Sequence, residues 1–205
     1  AVDDPRLRNA RLCPRADQDP GNPSGAVATE KDCRELLELC RSRGIVLISD
    51  EIYDEFAFRE SRTQAFVGDA TRRACPSPAR LAGAEDCVLV VRGYGKTYGV
   101  TGWRLGYAAG PRRLIEEMTK LQQYLYVSSP HPLQWGVVGA FDVDMSREVA
   151  DYEARRDLVV GTLSKVTEVP MPGGAFYAFV KVPEKYGDEG GRAEAFFQEG
   201  VKRKL

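Results

Sequence analysis

The sequence predicts an α/β fold built on a mostly parallel sheet with helices on either side. Three observations predict it. Two continuous apolar runs of strand length, Ile45-Val46-Leu47-Ile48 and Val88-Leu89-Val90-Val91, have the character of strands buried on both faces. An amphipathic stretch with its own start and stop signals stands immediately before the first run, so strand and helix alternate. And 205 residues are enough to bury a sizeable core.

The elements follow in order. Through about Gly25 the chain is rich in Arg, Asp, Pro and Gly and shows little periodicity. Thr29 then opens a helix, with Asp32 as its capping-box partner. Cys33, Leu36, Leu37 and Cys40 form the apolar stripe, and Gly44 ends it. Between the two strands, residues 59 to 86 are polar, contain Pro76 and Pro78, and predict a surface excursion around a short helix. Leu105 to Ala109 reads as a short strand. Pro111 suits the first turn of a helix carrying Leu114, Ile115, Met118 and Leu121. His131, between two prolines, marks a helix start rather than a catalytic position. A long helix over about 132–166 is expected next, with Gly136 and Gly139 as close-packing sites. Pro170 to Gly174 reads as a turn, Ala175 to Val180 as a strand, and the region of Phe196 and Phe197 as a last helix.

Composition removes several classes of function. With 29 Lys+Arg against 30 Asp+Glu, the net charge of −1 gives no basic field for nucleic acid. No apolar run reaches membrane-spanning length, and the first residues are unlike a signal peptide, so a soluble protein without membrane partners is expected. The five cysteines, Cys13, Cys33, Cys40, Cys75 and Cys87, form no C-x-x-C pair and suit a reducing cytoplasm. With His131 as the single histidine, a His-based zinc site or a Ser-His-Asp triad lacks its parts, and no metal site is expected.

Two segments can carry chemistry. Ser49-Asp50-Glu51-Ile52-Tyr53-Asp54-Glu55 lies at the C-terminal end of the first buried strand, where open α/β sheets place their ligand crevice. A carboxylate there can meet a cation or a protonated nitrogen. Arg92 to Arg104 follows the second buried strand. Glycines flanking Tyr94 allow close backbone approach to a ligand, and Lys96 stands at the strand end. A desolvated lysine can form a Schiff base with a carbonyl, and Arg104 offers a fork for phosphate or carboxylate. Gly95-Lys96-Thr97 is also the ending of a phosphate-binding P-loop. That loop would need a glycine where Val90 stands, and its acidic strand would follow rather than precede it.

Four blocks in order then carry a family resemblance: Asn22-Pro23-Ser24-Gly25; Ser49-Asp50-Glu51-Ile52-Tyr53; Gly95-Lys96-Thr97-Tyr98-Gly99-Val100-Thr101-Gly102-Trp103-Arg104-Leu105-Gly106-Tyr107; and Pro172-Gly173-Gly174-Ala175-Phe176-Tyr177. The sequence resembles the class I/II aminotransferases, fold-type-I enzymes that use pyridoxal 5'-phosphate. The resemblance implies a three-layer α/β/α large domain, here residues 1–145, and part of a smaller α+β C-terminal domain, residues 146–205, joined by the long helix at about 132–166. It implies that Lys96 holds the cofactor covalently and moves the substrate proton. Asp50 would pair with the pyridine nitrogen, Tyr53 and Asn22 would hydrogen-bond the ring's phenolic oxygen, and Arg104 would grip the phosphate. An amino acid and a 2-oxo acid would be the substrates, and the complete enzyme would be a cytoplasmic homodimer.

The departures carry expectations of their own. Family chains are longer at both ends, so this sequence reads as a fragment, weak or inactive by itself. Gly95 stands where many members have serine. Arg11 to Asp17 is too polar for the buried strand that the family places there. Other chemistries on this fold, carbon–sulfur lyase or decarboxylase, would use the same Lys96 and Asp50. A non-catalytic truncated remnant is the alternative from another class.

Overall fold

A computed structural model describes residues 11–12, 17–66, 69–187 and 191–204. Its centre is a five-stranded sheet. Strand β3 (Ile45–Asp50) pairs in parallel with β1 (Arg11–Leu12), with β2 (Asp17–Gln18) and, on its other side, with β6 (Val88–Gly93). Strand β7 (Gly106–Ala109) closes the row antiparallel to β6. Both apolar runs are therefore adjacent parallel strands, as the sequence predicts, and each continues two residues further into its polar end. The predicted third strand is present from Gly106. Because β7 runs back along β6, Arg104 and Lys96 belong to the same end of the sheet.

Helix α1 (Glu30–Ser42) covers one face. Its start is the expected capping box: Asp32 N–H donates to Thr29 Oγ1 at 3.1 Å and Thr29 N–H to Asp32 Oδ2 at 2.8 Å, satisfying two amides that the helix itself leaves orphaned. Gly44 ends it at φ +61°, a conformation that costs glycine nothing. Leu37 and Cys40 pack from this helix onto Leu47, Val88 and Val90, with Ala84 and Cys87 completing the cluster. Cys33, Cys40, Cys75 and Cys87 are buried. Cys13 lies outside the described residues.

Several expectations are corrected. The segment Arg11 to Asp17 reads as too polar for a buried strand, yet β1 and β2 at its two ends pair with β3. Ladder bonds come from the backbone, and an edge position tolerates polar side chains. Residues 59–86 do not surround a short helix. They hold a hairpin of β4 (Thr63–Phe66) and β5 (Asp69–Ala74) and a 3₁₀ turn at Pro78–Arg80, and Cys75 to Pro78 is buried rather than superficial. The expected long helix over 132–166 is two helices, α4 (His131–Val138) and α5 (Ser146–Leu163), separated by a 3₁₀ turn at Gly139–Asp142. The break has a local cause: Asp144 Oδ1 accepts from Ser146 N–H at 3.0 Å and from Ser146 Oγ at 2.6 Å, which starts a new helix. Gly136 is a close-packing site, since a Cβ there would lie 2.9 Å from the Trp103 ring. Gly139 is not, having open space around it where α4 ends.

The predicted strand Ala175–Val180 does not form. Ala175 adopts φ +56°, which interrupts an extended run, and the pairing reduces to one bridge between Gly174 and Ala57. Helix α3 (Arg112–Leu125) and helix α6 (Arg192–Arg203) lie where expected. The stripe of α3 is not covered, however: Leu121 is 60% exposed. Among the described residues no helix is long and apolar enough to cross a membrane.

A second cluster matters more for the site. Tyr53, Phe56 and Phe58, just beyond β3, pack with Val149 of α5 and with Ala175, and Tyr152 and Tyr177 lean on the same group. It ties the end of the sheet to the C-terminal part of the chain.

Candidate active site

The site is assembled at the C-terminal ends of β3 and β6. Register Asp50↔Val91 puts the Asp50–Tyr53 turn beside the segment that leads to Lys96 in the short helix α2 (Tyr94–Thr97). Lys96 Nζ lies 5.9 Å from the centre of the Tyr53 ring and 5.8 Å from that of Phe176. Those two rings meet edge to face at 5.1 Å. Among the described residues no carboxylate pairs with Lys96. It also lines a cavity of about 550 Å³ with Tyr98, Trp103, Met145 and Glu148, a volume in the range of small-ligand pockets.

Tyr53 is 2% exposed, and its hydroxyl lies 2.5 Å from that of Tyr177 with one hydrogen bond between them. Burial, then this hydrogen bond, raises the Tyr53 phenol above its ordinary value, while a bond to the Asn22 side chain works the other way. Asp50 is half-buried. Its Oδ1 accepts from Ile52 N–H at 3.2 Å, and its charge is felt at Tyr53. Lys96, Tyr53, Asn22 and Asp50 thus converge. Arg104 does not join them: it is exposed, in the left-handed conformation at φ +53°, and donates to Thr101 O at 3.1 Å. Asn22 is held by a tight turn, in which Gly25 N–H donates to Gly21 O at 2.7 Å. Gly25 itself has φ +68°, and a Cβ on it would lie 2.6 Å from Pro172 Cβ.

Several residues at the site are absent from the sequence-based set. Phe176 and Tyr177 stand in the fourth block of the resemblance and in the expected strand, but the sequence assigns them no site role. Glu51 is the larger omission, being buried and bonded to Ser49, Ser77 and Arg92. What identifies the pair is the strand register: Glu51 and Arg92 each stand one residue past the Asp50↔Val91 pair at the same end of two parallel strands.

Asp54 extends that group, with its Oδ2 at 3.0 Å from Arg92 Nη1. Burial pushes its carboxyl up to about 6, and the Arg92 charge opposes this without prevailing. Between pH 3.8 and about 6 the folded protein therefore holds a proton on Asp54 that the unfolded chain has released. Stability from that proton is complete below the unfolded value and is lost as pH rises through about 6. Asp54→Asn has no such proton to lose. Going from pH 4 to pH 7, the stability of the natural protein should fall relative to the variant by about 2 kcal/mol. Urea unfolding of both at unit pH intervals measures this; a constant difference would refute the assignment.

The fold, a largely parallel sheet with a lysine at one strand end and a carboxylate at the next, is that of the fold-type-I transferases. The chain belongs to the family aminotransferase class I and II, whose profile matches residues 18–204. It is 29% identical over 189 residues to an aspartate aminotransferase of Sulfolobus acidocaldarius, covering 90% of this chain and 44% of that protein. It is 29% identical to aromatic-amino-acid aminotransferase 2 of Thermococcus litoralis, covering 80% of this chain and 41% of the relative. The crystal structure of an aromatic aminotransferase from Pyrococcus horikoshii superposes with a TM-score of 0.75 at 31% identity, over 90% of this chain and 47% of that one. The chain thus spans less than half the length of these relatives. The family is generally dependent on pyridoxal phosphate.

Proposed function

We propose that this chain supplies the lysine-bearing part of a pyridoxal-phosphate aminotransferase that moves an amino group between an amino acid and a 2-oxo acid. The observation that carries the reading is the setting of Lys96: an amine without an ion pair among the described residues, at the end of β6, against two aromatic rings and beside the strand end that bears Asp50. The donor set fits the cofactor. There is an amine to hold it, a carboxylate with an oxygen to spare for a protonated ring nitrogen, and a phenol and an amide for its phenolic oxygen.

Bound there, pyridoxal phosphate supplies an electron sink for the pair left when a Cα–H bond of an amino acid breaks. The protein's own residues do the rest. Lys96 Nζ would hold the cofactor and would carry the Cα proton of the amino acid to the cofactor's C4′ carbon. Asp50 keeps the ring nitrogen protonated by charge. The Tyr53 hydroxyl and the Asn22 amide fix the ring's orientation. Arg104, on the same end of the sheet, would hold the phosphate once it leaves Thr101 O. The domain division at 145/146 is supported by the start of α5 at Ser146. The resemblance further supports a homodimer for the complete enzyme in a cytoplasmic setting.

The test is a titration of the 205 residues with pyridoxal phosphate, followed by visible absorption, and then amino acids with 2-oxoglutarate as acceptor. Saturable binding with a visible band is expected, with turnover slow at best. No saturable binding would overturn the cofactor reading, and rapid multiple turnover would overturn the expectation of weak activity.

A further inference from the structure

Next to the Lys96 group lies a charge network that the proposed chemistry does not use. Glu51 is a buried carboxylate, its side chain 2% exposed. Its Oε1 accepts from Ser49 Oγ at 3.0 Å and from Ser77 Oγ at 2.5 Å. Its Oε2 accepts from Arg92 Nε at 3.1 Å and from Arg92 Nη2 at 2.5 Å. The third guanidinium nitrogen, Nη1, reaches Asp54. Both oxygens of Glu51 and three nitrogens of Arg92 are engaged. A buried ion pair is a weak source of stability, because desolvation offsets most of its attraction, but its geometry is fixed by many directional bonds. What it fixes follows from its attachments. Glu51 adjoins Asp50 and precedes Tyr53 by two residues, Asp54 follows Tyr53, and Arg92 stands four residues before Lys96. Glu51 N–H also donates to Val91 O at 2.9 Å, so side chain and backbone tie the same two strand ends.

We propose that Glu51 and Arg92 are positioning residues: their buried pair, extended to Asp54 and closed by Ser77, clamps the Asp50–Tyr53 turn to the strand end that carries Lys96. The inference rests on the cofactor reading, since the clamp serves to align the groups assigned to the ring with the amine that holds it. Such alignment counts, because displacing a reacting group by about 1 Å can cost about a hundredfold in rate. The clamp comes from residues to which the cofactor reading assigns no contact of their own.

Two variants of the 205-residue chain test it. Glu51→Gln keeps the shape and an acceptor for the serines but removes the charge facing Arg92. Arg92→Lys is milder, keeping the charge and losing the fork, and it decides the matter where Glu51→Gln does not fold. Amide hydrogen exchange without cofactor is the first readout. Protection at 50–54 and at 93–97 should fall together, by about tenfold or more, with α1 unchanged. The affinity for pyridoxal phosphate and the visible circular dichroism of the bound cofactor are the second, and both should drop, less in Arg92→Lys. Unchanged exchange at either segment overturns the clamp. Loosened segments with natural affinity and dichroism overturn its positioning role and leave a structural one. Should the natural chain bind no cofactor while the exchange responds as expected, the cofactor reading fails and the link between the strand ends stands.

Discussion

Borohydride reduction of the protein loaded with pyridoxal phosphate is expected to leave the cofactor's mass on Lys96 and on no other lysine. Attack on an aldehyde needs a neutral amine, and an ion pair holds an amine protonated. Lys120 illustrates the contrast. It is exposed and sits 2.6 Å from Glu117, and that hydrogen bond raises its ammonium above the ordinary value. Lys181 pairs with Glu168 at 3.3 Å. Lys96 instead faces the rings of Tyr53 and Phe176, with no carboxylate against it among the described residues. Lys96→Ala should abolish the reducible adduct while leaving the thermal midpoint within a few degrees, because Lys96 makes no ion pair among the described residues. Peptide mapping by mass after digestion checks the site. A label on Lys120 or Lys165 would sink the assignment.

How much of this was legible in the sequence depends on the range of the interactions. The capping box at Thr29 and Asp32, the stop at Gly44 and the paired apolar runs of β3 and β6 are local signals, and each stands where the residues indicate. The failures are non-local. Ala175 to Val180 has strand composition, but a strand needs a neighbour, and the left-handed Ala175 leaves only one bridge to Ala57. The break between α4 and α5 turns on one aspartate, Asp144, competing for backbone amides within an otherwise helical pattern. Within the site, Lys96, Asp50, Tyr53 and Asn22 could be named because they stand in recognisable blocks. Glu51 could not be told from its exposed neighbour Glu55 until the register of two strands placed Arg92 beside it. Arg104 shows the opposite limit: its block is plain in sequence, while its side chain is turned onto Thr101.

Asp50→Asn should affect chemistry far more than folding. The substitution keeps volume, and an amide oxygen can still accept from Ile52 N–H as Oδ1 does at 3.2 Å. Backbone pairing of residue 50 is untouched, with Asp19 N–H still donating to its carbonyl at 3.0 Å. The thermal midpoint should therefore move by no more than about 2 °C. What disappears is the negative charge. A charge-assisted hydrogen bond contributes about 1.5–3 kcal/mol more than its absence, so its loss weakens cofactor binding by roughly ten- to a hundredfold. The proton-transfer step should suffer more than binding, since a ring nitrogen that is not held protonated draws less charge from Cα, and a fall in half-reaction rate on the order of a hundredfold or more is expected. The two effects separate experimentally: saturating cofactor restores occupancy but not the rate. Measuring the rate with an amino-acid donor at full occupancy, in the natural protein and in Asp50→Asn, isolates the second. A variant that at saturation reacts nearly as fast as the natural protein would leave Asp50 as a binding contact and remove it from the proton-transfer step.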